Sequence, residues 1–319
     1  MRGRLIGCIG LLAVSAAGGT LAGAGRQGIG QSPSSLPLTP TIREKGSSVT
    51  PAYEGWYYAK DGSQNALVGY FNRNTKQELD IPVGPNNRIE PGGPDQGQPT
   101  HFSPGRQWGV FSITLPKDIG TKKLTWTIVA NGLTNAITLH TQPDYVVEPF
   151  EDAANKNTPP KLKFRADGPL FTGAPTGIAE KYSATVGTPL TLTVWATDEG
   201  PKINIPEGRG RGRGAAGRGA AAAAGAPGAP AAAAAAPPEF TPPPPIAVTW
   251  TMFRGPGAVK LENPKPKVAV DDGGKATTTA TFSAPGEYVL RVQGNDSTGE
   301  GGGGFQCCWT NAHVAVSVK

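Results

Sequence analysis

Residues 276–296 read ATTTATFSAPGEYVLRVQGND, two runs of strand-forming residues joined across the small, tight corner SAPG. Thr, Val and Tyr suit a pleated, half-buried surface, and the Pro-Gly step breaks the run. The same pattern extends both ways. Upstream, AVKLEN (258–263) and IAVTWTMF (246–253) read as strands, the latter with Ile246, Val248, Trp250 and Met252 on one face. Farther back come PLTLTVWATD (189–198), with Leu190, Leu192, Val194 and Ala196 pointing one way, and KLKFRADGPLF (161–171). Downstream, HVAVSV (313–318) closes the set with Val314, Val316 and Val318 on the core side.

A second β-rich region precedes these strands. GWYYAKDGSQNALVGYF (55–71) is two apolar runs around a DGSQN turn, which is a hairpin signal. RQWGVFSITLP (106–116) alternates, with Phe111, Ile113 and Leu115 on one face. KKLTWTIVANGLTNAITLH (122–140) sets Leu124, Trp126 and Ile128 before an Asn131-Gly132 turn, and Ile137 and Leu139 after it. No useful stretch has helical period. Short alternating strands with Gly, Asn and Pro turns predict a sandwich or barrel.

The stretch GPGAVKLEN (255–263) followed by ATTTATFSAPGEYVLRVQGND resembles the second half of PKD-type and other immunoglobulin-like domains of exported bacterial proteins. The resemblance covers about residues 160–319. It implies that Tyr288 is a tyrosine corner two residues before Leu290, and that Trp250 is the core tryptophan of the third strand. The inter-sheet cysteines of antibody domains are missing. Such sandwiches host many roles, so the resemblance implies a fold and little about function.

The block GRGRGRGAAGRGAAAAAGAPGAPAAAAAAPPEFTPPPP falls between the second and third strands of that domain. It is therefore expected to be a disordered insertion in one loop, at about 200–245, because neither half alone can bury a sheet face. Loop-closure entropy grows by only about 0.6 kcal/mol per doubling of length, which makes such an insertion tolerable. The expected organisation is a signal peptide at 1–24, a disordered tether at 25–48, a first β-sandwich domain at 49–155 and an immunoglobulin-like domain at 156–319.

The leader reading rests on Arg2 and Arg4, an uncharged apolar run from Leu5 to Ala24, and the small-residue ending Ala22-Gly23-Ala24. Five glycines in the apolar run from Leu5 to Ala24 favour cleavage over anchoring, so no membrane span is expected after cleavage. The formal charge is +6. Arg2 and Arg4 supply two of these charges and the segment from Glu207 to Pro245 a net two, leaving only +2 on the rest. That is no electrostatic footprint for nucleic acid.

Candidate chemistry is sparse. His-Glu-x-x-His, Gly-x-Ser-x-Gly and Cys-x-x-Cys are all absent. A turn at Asp296–Glu300 has calcium-binding residue types, although solvated turn carboxylates are the commoner case. Residues 82–106 hold six prolines and five glycines among 25 residues, together with Asn86, Asn87, Arg88, Glu90, Asp95, Gln96, Gln98 and His101. A loop of this length is functional or packs over a sheet edge. Glu90 and Asp95 are a carboxylate pair of the type that flanks a glycoside, if they converge.

Cys307 and Cys308 are adjacent, with Trp309 next and His313 beyond. A shared metal site is disfavoured, because in an extended strand Cys307 and His313 lie about 20 Å apart at ~3.3 Å per residue. A vicinal disulfide needs a turn, which glycines 301–304 permit; two reduced thiols, or a bond to another chain, are the other readings. Strand parity places Trp309 on the face away from Val314, as a contact surface.

The expectation is an all-β exported protein, periplasmic, cell-surface or secreted, built of two β-sandwich domains. Its leading role is non-catalytic binding of protein or glycan partners through Asn86, Asn87, Arg88, Glu90, Asp95, His101 and Trp309, with no cofactor and no metal. A hydrolase using the 82–106 loop, and a redox or metal-handling protein using Cys307 and Cys308, are the alternatives.

Overall fold

A computed structural model describes residues 43–116, 119, 123–147, 150–152, 156–200, 245–296 and 306–319. The leader, most of the tether, nearly all of the insertion and the glycines before Cys307 lie outside the described residues. Residues 43–48, at the end of the expected tether, are tied down: the carbonyls of Arg43 and Glu44 accept from Thr75 N and Lys76 N. From there to Lys319 the chain forms one unit.

The first sandwich contains β1 (Val49–Tyr58), β2 (Gln64–Asn72), β3 (Leu79–Asp80), β4 (Asn87–Glu90), β5 (His101–Phe102), β6 (Gly105–Thr114), β7 (Leu124–Ala130) and β8 (Leu133–Leu139). One sheet has the order β1-β2-β6 and the other β4-β7-β8, with β3 and β5 as a two-stranded ribbon. The Asn131-Gly132 step turns β7 into β8 with φ of 49° and 77°. Both values lie in the left-handed region, which suits the twist of a two-residue hairpin. Phe111, Ile113, Leu124, Trp126, Ile128 and Leu139 meet in one core.

The second sandwich contains β9 (Lys161–Lys163), β10 (Ile178–Ala184), β11 (Leu190–Thr197), β12 (Ile246–Arg254), β13 (Val259–Leu261), β14 (Lys275–Phe282), β15 (Gly286–Asp296) and β16 (Trp309–Val318). Its sheets have the orders β13-β14-β11-β9 and β10-β16-β15-β12. That is the immunoglobulin-like arrangement, with β10 running parallel to β16. Leu192, Val194, Val248, Trp250, Leu290 and Val316 interdigitate between the sheets. β11 and β12 face each other across this core, so the low-complexity chain between them is an insertion within one sandwich.

Tyr288 is fully buried, and its hydroxyl donates back to Ala284 O at 2.9 Å, closing a tyrosine corner. Removing one such hydrogen bond costs about 1 kcal/mol. Tyr288→Phe is expected to lower the urea midpoint accordingly, with the far-ultraviolet circular dichroism unchanged.

Two local expectations differ from the structure. KLKFRADGPLF is not one strand: after β9 the chain turns, and Phe171 pairs back onto Leu162. β10 escaped the sequence reading because it is a half-exposed edge strand without clean alternation.

Candidate functional site

The 82–106 loop is a packed structure built around three buried or half-buried amides. Asn87 is fully buried; its Nδ2 donates to Ile81 O and Pro99 O at 2.9 and 2.7 Å, and its Oδ1 accepts from Trp126 Nε1 at 3.0 Å. Gln98 Nε2 donates to Pro94 O at 2.9 Å, and Gln98 Oε1 accepts from Gln96 N at 2.8 Å. Gln96 Nε2 donates to Ile89 O at 2.7 Å. Asn86 supplies its carbonyl to Val129 N.

The loop's charged residues are held apart. Arg88 Nε donates to Glu90 at 2.8 Å on an exposed surface. Asp95 is gripped by both terminal nitrogens of Arg254 at 2.7 and 2.8 Å, from β12 of the second sandwich. That guanidinium holds the Asp95 carboxyl below the usual range. Glu90 and Asp95 thus serve different arginines on different elements. Arg254 Nε also donates to Gln98 O at 2.6 Å, and Thr100 N to Phe253 O at 3.0 Å, so the loop is docked onto β12.

Under this docked loop lies a cleft of about 510 Å3 between the sandwiches. One wall carries Glu78, Asp80 and His101 from the β3–β5 ribbon. His101 is nine-tenths buried; its Nδ1 is 2.8 Å from Asp80 Oδ1, and its Nε2 is 3.7 Å from Glu78 Oε2. The opposite wall carries Lys260, Lys265, Val259 and Leu261, and the floor is β12 from Thr249 to Met252.

Cys307 and Cys308 are joined to each other, S–S 2.06 Å, in a one-turn 3-10 segment Gln306–Cys308. Both are buried, with Asn157 Nδ2 3.7 Å from Cys308 Sγ. The turn delivers Trp309 onto the face away from the second core. That face is not solvent: Trp309 is only 1% exposed and packs with Tyr57, Leu67 and Ala174. Gly109 makes this possible, since a Cβ there would stand 2.0 Å from the indole. The contact surface expected at Trp309 is therefore internal.

The rest of that face forms a seam. His313 is buried, its Nε2 donates to Val110 O at 2.9 Å, and its ring lies 4.3 Å from that of Phe253. The acceptor at Val110 fixes the proton on Nε2. Asn311 Nδ2 donates to Trp108 O at 3.0 Å, and Arg291 donates to Thr251 Oγ1 and to Gln107 Oε1. Arg291 is buried, and its second terminal nitrogen has no hydrogen-bond partner among the described residues.

Compensation comes from Glu54, whose side chain is 3% exposed. Glu54 is the extra residue of a β-bulge, where β1 skips register between Tyr53 and Gly55. It accepts from Arg106 at 2.7 Å and from Gly109 N at 2.8 Å. Burial pushes its carboxyl above the usual range, against the opposing pull of Arg106 and Arg291. Gly69 leaves room for the pair, since a Cβ there would lie 2.1 Å from Glu54 Oε1.

Sequence reasoning singled out His101 but missed its partners Asp80 and Glu78, the lysines opposite, and the buried ions Glu54 and Arg291. Arg291 sits at an outward position of a strand and reads as a solvated charge. Its one local signal is that it stands alone in the run Tyr-Val-Leu-Arg-Val.

No protein-family model and no curated protein matches this chain. Among solved structures, domains 4 and 5 of the S-layer protein SbsC align at 12% identity and TM-score 0.20, over 85% of this chain and 98% of that one. The tandem immunoglobulin domains of titin align at 11% identity and TM-score 0.21, over 86% of this chain and 99% of that one. The immunoglobulin-like assignment of the second sandwich rests on its strand order and its tyrosine corner.

Proposed function

We propose that this chain is an exported, non-catalytic binding or structural module, which meets protein or glycan partners at the cell surface, in the periplasm or outside. In this reading residues 49–155 and 156–319 are its two domains, the second of PKD type. The observation that carries it is the fate of the expected reactive carboxylates: Asp95 is engaged by Arg254 in joining the two sandwiches, and Glu90 is paired with Arg88 within the loop. A stiff two-domain body with a cleft between its halves suits presentation and recognition. Export is supported by the leader-like residues 1–24 and by the Cys307–Cys308 bond, since disulfides persist in oxidising compartments. No helix among the described residues is long and apolar enough to cross a membrane.

The test pairs a binding screen with a turnover screen on the full chain. Saturable binding to a glycan panel or to purified cell-surface proteins, without hydrolysis of the bound material, is the expected result. Glycoside turnover that disappears in Asp95→Ala or Glu90→Ala would overturn the reading in favour of a hydrolase.

A further inference from the structure

The floor of the inter-sandwich cleft is an unfinished sheet edge. β12 is the outermost strand of its sheet, with β15 on its inner side. In an antiparallel strand, alternate residues turn both N–H and C=O to the same edge. Trp250 N donates outward, to Pro264 O at 2.8 Å. Thr249 and Thr251 therefore face β15, while Trp250 C=O and the Met252 amide face the cleft. Beyond a register shift at Met252/Arg254, Phe253 O accepts from Thr100 N. Between these two caps, neither Trp250 O nor Met252 N has a backbone partner among the described residues. Natural sheets cover such rungs or leave them to be paired by another chain.

The walls define what fits. At the Phe253 end stand Glu78 and Asp80, both largely exposed, with His101 behind Asp80. At the Trp250 end stands Lys265, next to the capping Pro264. Between the ends, Met252, Val259 and Leu261 supply half-buried apolar surface. A sugar would want an exposed aromatic face, and the aromatic rings bordering the cleft among the described residues, Trp250 and His101, are both buried. A phosphate drawn to the lysines would meet two carboxylates opposite. A dipolar, extended backbone matches every feature, and the volume lies within the ~300–1,000 Å3 of ligand pockets.

We infer that the cleft takes an extended peptide segment of a partner protein. The segment adds as a strand to β12, with a basic residue at the Glu78/Asp80 end and an acidic residue at the Lys265 end. Strand addition of this kind takes affinity from main-chain hydrogen bonds and specificity from flanking pockets. The inference rests on the binding-module reading and narrows its partner to protein. Antiparallel pairing orders the peptide basic to acidic from its N-terminus, and parallel pairing the reverse.

The test titrates the full chain with two blocked pentapeptides, acetyl-Lys-Thr-Val-Thr-Glu-amide and acetyl-Glu-Thr-Val-Thr-Lys-amide, by calorimetry. One order is expected to bind saturably in the millimolar range or tighter, and the other about tenfold more weakly, as two half-exposed ion pairs allow. N-methylation is made in turn at the central valine and at the threonine after it; at the one whose N–H faces Trp250 O it should abolish binding by removing the main-chain donor. Glu78→Lys combined with Lys265→Glu, both exposed enough to leave folding intact, should invert the preference. Binding of neither peptide, equal binding of both, or indifference to N-methylation would overturn the inference. A positive glycan or protein screen alongside such a failure would leave the binding-module reading standing with its site elsewhere.

Discussion

Glu54→Ala is expected to destabilise the folded chain by about 3–5 kcal/mol, the cost of removing one partner from a buried ion pair. Most of that cost falls on what remains. Arg106 loses the carboxylate 2.7 Å away, and Gly109 N loses its acceptor. Arg291, buried with one terminal nitrogen already lacking a hydrogen-bond partner among the described residues, loses the negative charge that offsets it. A carboxylate-to-amide change is milder, because Glu54→Gln keeps an acceptor for Gly109 N. Removing Arg106 as well should recover part of the loss, since residues in one network couple by about 0.5–3 kcal/mol. Urea unfolding of Glu54→Ala, Glu54→Gln, Arg106→Ala and the Glu54→Ala/Arg106→Ala double variant checks this. An additive double variant, or a loss from Glu54→Ala below about 1 kcal/mol, would mean that the seam ions are not coupled.

Acid should weaken the same seam through His313. Burial comes first among the causes that push its imidazole down to about 4, with Arg291 and Arg254 adding repulsion and the Val110 carbonyl opposing them. Between about pH 6.5 and pH 4 the unfolded chain binds a proton that the folded chain refuses. Stability is therefore fully present above pH 6.5 and falls as pH drops towards 4. A shift of this size corresponds to about 3 kcal/mol. Asp95 loses stability in the same direction, because Arg254 depresses its carboxyl, whereas Glu54, raised by burial, acts oppositely. His313→Gln isolates the effect: it retains a donor for Val110 O and does not titrate. The stability difference between wild type and His313→Gln should shrink or reverse between pH 7 and about pH 4. A pH-independent difference would show that His313 does not carry the acid response.

Much of the candidate site was illegible in the sequence for a definite reason. Asn87, Gln96 and Gln98 were chosen as hydrogen-bonding groups within a Pro- and Gly-rich loop, and they are. Whether such a group serves a ligand or its own backbone depends on where Ile81, Pro94 and Pro99 turn their carbonyls, which no spacing records. Asp95 and Arg254 are 159 positions apart, and Gln107 and Arg291 are 184 apart. Pairs of this kind have no local period to betray them. The cleft itself exists only because the β3–β5 ribbon of one sandwich comes to rest beside β12 of the other.

The strands themselves were legible, because a two-residue period survives in the residues that face a core. Val314, Val316 and Val318 point into the second sandwich, and Trp309 and His313 turn the other way as parity predicts, whereas Cys307 lies in the 3-10 turn before the strand, where parity does not apply. Alternation alone determined that parity and the all-β class; the immunoglobulin-like second half was what the resemblance of GPGAVKLEN and ATTTATFSAPGEYVLRVQGND implied. Alternation did not determine what the other face meets. Only the tertiary structure decided that the first sandwich covers it, placing the indole against Gly109 and the imidazole against Val110. A period of two records that a side chain leaves its own core. What it enters next is set by contacts between distant segments, and those are decided when the two sheets pack.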